Sequence, residues 1–170
     1  GVHSDIGGSY NDGVEIIREI ETSWTSKFNL DPTIKWLTEE GWYNDEQLEI
    51  TGGNLYWALQ GTRNLSKKYS YIPLHFMAEK AIEKESPFNL NFFENQKYKI
   101  TDDAFLVIIK TLLRKYVFEN GSPYVYKKSP PQDEIEEQND LKKLRNEFLH
   151  WSARREGIGM DPNSNRERVT

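Results

Sequence analysis

The sequence contains no cysteine, which excludes disulfide bridges, thiolate metal sites and cysteine nucleophiles. Histidine is scarce, with three copies: His3, His75 and His150. Long apolar runs are missing as well. The longest, over 104–109, continues into Lys110 and falls far short of the ~20 residues that span a bilayer. No transmembrane segment is therefore expected. No basic run exceeds a pair, and 27 acids against 22 bases give a formal net charge of -5. That balance is unlike a general nucleic-acid binder's, so no nucleic-acid partner is expected. The serine-hydrolase elbow Gly-x-Ser-x-Gly occurs nowhere. Its nearest approach, Gly7-Gly8-Ser9-Tyr10-Asn11, fails at the last position. No repeat of fixed period is present, and residues 1–10 lack the charged and apolar regions of a signal peptide.

What remains is a chain of 170 residues, enough for one compact domain with a core. A hydrophobic share of 36% and a charged share of 29% describe a polar globular protein, and 13% aromatics argue against disorder. The pattern predicts a mainly α chain with a small β-hairpin, an α+β fold. Residues 7–13 read as a turn-rich loop. Val14, Ile16, Ile17 and Ile20 then mix spacings of three and four with β-branched residues, which leaves helix and strand both open. Asp31-Pro32 opens a short helix to Glu40 that Gly41 stops. Residues 47–51 and 55–63 read as a two-stranded flap around Gly52-Gly53-Asn54. Pro73 opens a helix with Leu74, Met77, Ala78, Ala81 and Ile82 on one face, and residues 86–100 look irregular. Thr101 is the predicted N-cap of a core helix striped by Phe105, Ile108, Ile109, Leu112, Leu113 and Tyr116, ending at Asn120-Gly121. Ser129-Pro130-Pro131-Gln132 reads as a capping box for a last helix that turns Ile135, Leu141, Leu144, Phe148 and Trp151 inward. Its acids come early and its bases late, which complements the dipole.

Chemistry concentrates in the first ten residues, where His3 and Ser4 stand beside Asp5 and the Gly7-Gly8 pair allows close backbone approach. Adjacent side chains cannot align as a self-contained triad. A metal at His3 and Asp5 lacks a second histidine at ligand spacing, so neither metal nor cofactor is expected. On the residues alone, a structural glycine turn with an incidental histidine remains the simpler reading. A packing role suffices for His75. His150 suits the negative end of a helix, and it is also the alternative candidate for a general base.

Residues 1–10 resemble the motif Gly-Val-His-Ser-Asp-Val/Ile-Gly-Gly-Gly-Tyr of the type VI secretion phospholipase effectors, within a wider α/β-hydrolase family. Ser9 stands where that motif has its third glycine. Leu65-Ser66 with Ile72-Pro73-Leu74-His75-Phe76-Met77, and Arg145 to Ser152 with Asp161-Pro162-Asn163 and Arg166, are similar to later segments of the family. The resemblance implies that His3 is the base of a Ser-Asp-His triad acting on a phospholipid or other ester, with Ser4, Asp5, Gly7 and Gly8 supporting the motif. It implies that nucleophile and acid precede residue 1, so that the chain is the largely helical C-terminal part of an α/β-hydrolase, inactive alone. One segment is expected: a catalytic-histidine loop (1–13), an insert with the hairpin (14–64), a helical region (65–156) and a tail (157–170). Secretion-apparatus and immunity proteins are the implied partners, with synthesis in the cytoplasm and export by a type VI system. The competing expectation is a non-catalytic binding or interaction module that keeps the motif as a structural turn.

Overall fold

The computed structural model describes residues 3–87, 89, 91 and 97–151, with His3 and Ser4 as backbone only. The fold is α+β: among the described residues, five α-helices accompany one three-stranded antiparallel sheet. The chain divides into two compact units, one holding 12–65 and 142–151, the other 3–11 and 66–141 of the described residues.

The first unit is built on the sheet. Strand β1 (Gly13–Ser23) settles the ambiguity over 14–24, and β2 (Leu48–Gly53) and β3 (Tyr56–Leu65) form the hairpin. The order β1-β3-β2 makes β3 central, so the predicted two-stranded flap is a three-stranded sheet. A bulge explains why β1 looked half helical. Ile17 pairs with Gly61 and Glu21 with Leu59, so β1 advances from 17 to 21 while β3 moves only from 61 to 59. The surplus residues let Ile17 and Ile20 both turn inward despite a spacing of three. The hairpin strands also run further than expected. Gly53 pairs with Tyr56, leaving Asn54-Leu55 as the turn, with Asn54 at φ 58°.

Helix α2 (Asp31–Glu39) starts with proline in its first turn, as the sequence requires, and Gly41 at φ 74° ends it. Trp42 N–H then donates to the Leu37 carbonyl at 2.9 Å. Ile17, Ile20, Leu30, Leu37, Tyr43, Leu59 and Trp151 form the core. Trp36 and Trp42 meet the Trp151 ring edge-on at 5.4 and 4.9 Å. Arg63, directly opposite Glu15 on β1, is the polar hub of this unit. Its guanidinium donates to the Trp42, Arg145 and Leu149 carbonyls at 2.7–2.9 Å.

The second unit is helical. Helix α1 (His3–Gly7) is a short helical turn inside the segment expected to be loop. Helix α3 (Tyr71–Glu83) begins before Pro73 and buries Ile72, His75, Phe76 and Ala78. Met77, expected inward, is exposed instead. The helix is turned from the predicted face because Phe76 stacks edge-on with Phe118 at 5.2 Å. Helix α4 (Ala104–Phe118) is capped by Asp103, whose carboxylate accepts from Leu106 N–H at 3.2 Å; Thr101 lies in the preceding turn. Its buried face is narrower than the predicted stripe, with Leu106 and Ile109 inside and Ile108 and Tyr116 exposed. Past Asn120 at φ 55°, Gly121 N–H returns to the Lys115 carbonyl at 2.9 Å, as the expected stop requires.

Helix α5 (Ile135–Phe148) follows a 3-10 turn at Gln132–Glu134 with Pro131 at its N-cap, so the predicted Ser129 capping box is absent. Proline has no side-chain acceptor to offer. Buried Gln138 does the local work: it accepts from Lys127 N–H at 2.8 Å and donates to the Val125 carbonyl at 3.2 Å. Leu141, Leu144, Phe148 and Trp151 are buried as expected, while Ile135 is exposed.

Candidate functional site

The second unit holds the described part of the glycine motif. The backbone of His3 opens α1; the side chains of His3 and Ser4, with all of Gly1 and Val2, lie outside the described residues. Asp5 is buried, and α1 packs on the 3-10 turn Lys67–Ser70 and on the start of α3. Burial, and then the negative charge of Asp5, push the Tyr69 phenol above its ordinary value and hold it neutral.

The two glycines differ. Gly7 has open space around it, whereas Gly8 takes φ 68° and lies against Ser70. A Cβ on Gly8 would stand 3.3 Å from Ser70 Oγ. The close approach expected of the pair is thus made by Gly8 alone, and what approaches is a side chain of the same unit. Ser70 itself donates to the Lys67 carbonyl at 2.8 Å, so its proton is engaged in closing the turn.

Beside this turn runs a cleft of about 370 Å³. Gly7 and Gly8 contribute backbone to it, Leu74 and Met77 an apolar wall from α3, and Lys67 and Lys97 positive charge. Tyr71 and Tyr98 also line it, their rings edge-to-face at 5.6 Å and 81°. Such a mixture suits an amphiphile with an apolar body and an anionic or strongly polar end. Sequence inspection missed Lys67, Ser70 and Tyr98. The signal for the first two was Ser66-Lys67-Lys68-Tyr69-Ser70, a side-chain-capped turn between a strand and a helix.

His75 is buried and does not itself line the cleft. Its Nε2 lies 2.9 Å from the Tyr98 carbonyl oxygen, which makes Nδ1 the acceptor facing Lys110 Nζ at 3.4 Å in the neutral ring. Burial lowers its pKa; the Tyr98 hydrogen bond opposes this, and the Lys110 charge adds to it. Lys110 also donates to Glu79 at 2.9 Å, and Arg114 pairs with the same carboxylate. This network joins α3 to α4 and to the 97–98 turn, the packing role expected of His75. His150 belongs to the other unit and sits half-buried just past α5. The segment 152–170, with Ser152, Asp161 and Arg166, lies outside the described residues.

No family model, curated protein or solved structure matches the chain. Among the described residues no cluster of three His, Asp or Glu could hold a metal ion. No helix there is long and apolar enough to cross a membrane. The arrangement offers a bounded amphipathic cleft, two cations and a glycine-opened backbone.

Proposed function

We propose that the chain is the C-terminal part of a serine ester hydrolase of the α/β-hydrolase class, acting on phospholipids or related esters, with His3 as the general base. The observation that carries this reading is the cleft itself. Its lining combines the backbone of the glycine motif with Leu74 and Met77, which suit an acyl chain, and Lys67 and Lys97, which suit an anionic head group. His3 takes the proton of the nucleophilic serine as that oxygen attacks the ester carbonyl. It then returns the proton to the departing alcohol as the tetrahedral intermediate collapses. These 170 residues contain no Gly-x-Ser-x-Gly elbow, so the reading assigns nucleophile and acid to sequence outside them. Delivery by a type VI apparatus and neutralisation by an immunity protein belong to the same proposal through the motif's resemblance.

The test is fatty-acid release from phosphatidylethanolamine and phosphatidylglycerol vesicles by the complete reading frame containing these residues. His3→Ala is expected to reduce turnover by roughly three orders of magnitude or more with folding intact, and His150→Ala to leave it near wild type. Unchanged turnover in His3→Ala overturns the assignment, as does a reading frame with no elbow before residue 1. The second reading, a binding module, is favoured by one contact: Gly8 against Ser70 gives the motif a purely structural use. Hydrolysis that depends on His3 eliminates it.

A further inference from the structure

We propose that the end of the sheet bearing Trp24, Phe28 and Leu55 is a docking tip for a lipid bilayer surface. This inference stands apart from the hydrolase reading, because the tip belongs to the other unit and involves none of the motif residues.

Three large apolar side chains protrude there from turns rather than from a sheet face. Trp24 is 69%, Phe28 68% and Leu55 73% exposed, the highest values among the exposed large apolar residues described. They share one end of the sheet. Ser23 pairs with Trp57, so Trp24 follows β1 where β3 begins, and its ring meets Tyr56 at 4.7 Å. Leu55 occupies the hairpin turn next to Tyr56, and the 3-10 turn Lys27–Leu30 packs on both β1 and β3.

The exposure is built in rather than the result of a loose loop. Ser23 Oγ accepts from the backbone of Thr25 and Ser26 at 3.4 and 3.3 Å and from Asn29 Nδ2 at 3.2 Å. Asn29 also donates to Thr25 Oγ1 at 2.8 Å, and Ser26 Oγ accepts from Phe28 N–H at 3.2 Å. Leu30 is fully buried and anchors the turn from inside. The loop is thus tied down by its own polar groups while it holds Trp24 and Phe28 in water.

Charge identifies the occupant. Residues 22–30 and 50–60 comprise twenty positions with one charge, Lys27, where the chain's 29% average would place roughly six. The acids that give the chain its net charge of -5 all lie outside these segments. Exposed tryptophan, phenylalanine and leucine with a single lysine, and with the nearby Glu19 carboxylate engaged by the Tyr56 hydroxyl, suit the headgroup layer, where aromatic rings settle and anionic lipid attracts the cation. A protein interface would be expected to deplete lysine and present a broader patch.

The test uses the 170-residue chain and vesicles of phosphatidylcholine with and without phosphatidylglycerol. Cosedimentation is expected, strengthened by phosphatidylglycerol. The combined Trp24→Ser, Phe28→Ser, Leu55→Ser variant is expected to bind roughly tenfold or more weakly, and Lys27→Glu to lose the preference for anionic lipid. The cysteine-free sequence permits a second measurement on a nearly native chain. A polarity-sensitive dye at Leu55→Cys is expected to shift to the blue on vesicle addition, and the same dye at exposed Lys35→Cys is not. Absence of cosedimentation overturns the proposal, as does an unshifted dye at Leu55→Cys. Loss of self-association in the triple variant with vesicle binding unchanged overturns it in favour of a second copy of the chain.

Discussion

Glu15 and Arg63 face each other across β1 and β3, with Arg63 Nη2 2.7 Å and Nε 2.8 Å from Glu15 Oε2. The guanidinium is fully buried and the carboxylate nearly so. One partner thus serves a strand and three carbonyls at once, including two near the end of α5. Glu15 also accepts from Trp151 N–H at 3.3 Å. Arg63→Ala is expected to lower stability by about 3–5 kcal/mol, because it strands a carboxylate and several carbonyls together. Arg63→Lys should recover little, since an ammonium cannot reproduce the planar fork. Urea denaturation of the three proteins decides this; equal midpoints for wild type and Arg63→Lys would contradict it.

The paired glycines should separate on substitution. Gly8→Ala meets both a left-handed backbone and Ser70, and is expected to cost about 1–2 kcal/mol. Gly7→Ala has open space and should be near neutral. Thermal melts of the two variants check the ordering, and equal losses would remove Gly8 from its special position.

Gly61 gives a sharper case in the first unit. A Cβ there would lie 2.4 Å from Tyr43 Cε1 and 2.7 Å from Ile20 Cδ1. Gly61→Ala is expected to cost at least about 1–3 kcal/mol through overpacking. The companion change Tyr43→Leu should return part of that loss in a double-mutant cycle.

His75 makes stability depend on pH. Its folded pKa lies below the ordinary 6.5, chiefly through burial, so the unfolded chain binds the extra proton in the interval between them. The stabilisation is fully present above pH 6.5 and is lost as pH falls from 6.5 through the lowered folded value. Glu79 acts in a separate window. Burial raises its pKa, but Lys110 and Arg114 outweigh that and hold it below its ordinary 4.5, so its contribution is lost at pH values below 4.5. Unfolding free energies measured from about pH 7.5 to about pH 5.5 should fall for wild type and flatten for His75→Gln. Parallel slopes would show that another group governs that window.

The N-cap of α4 is open to the same kind of contrast. Asp103→Ala is expected to cost about 1 kcal/mol and Thr101→Ala nearly nothing. The reverse order in a chemical melt would restore the assignment that the sequence favoured.

These examples show which parts of the molecule were legible. Proline in the first turn of α2 and the stops at Gly41 and Gly121 follow from local backbone preferences, and they are where they were expected. Strand β1 was obscured because a bulge gives Ile17 and Ile20 a helical spacing, and no pattern rule sees a bulge without its partner strand. The face of α3 was misjudged because Phe118, distant in sequence, decides which side Phe76 must turn. Thr101 lost to Asp103 because the buried Ile100 begins a turn that delays the helix. At the site, the glycine pair could be read from the sequence, but not that Gly8 alone makes the close approach. Its partner Ser70 and the cations Lys67 and Lys97 come together only through the packing of α1 and α3.

The central position of β3 sets the timing of assembly. The β2–β3 hairpin closes a turn of two residues, whereas Ser23 must wait for Trp57 before β1 has anything to pair with. Local pairings form before distant ones because less chain entropy is lost in closing them. On the ribosome, β1 emerges well ahead of its only partner strand among the described residues. Ile17 and Ile20 then face water until the hairpin is complete, and a nascent chain halted between residues 24 and 55 carries an unpaired apolar strand open to chaperones and to its own copies.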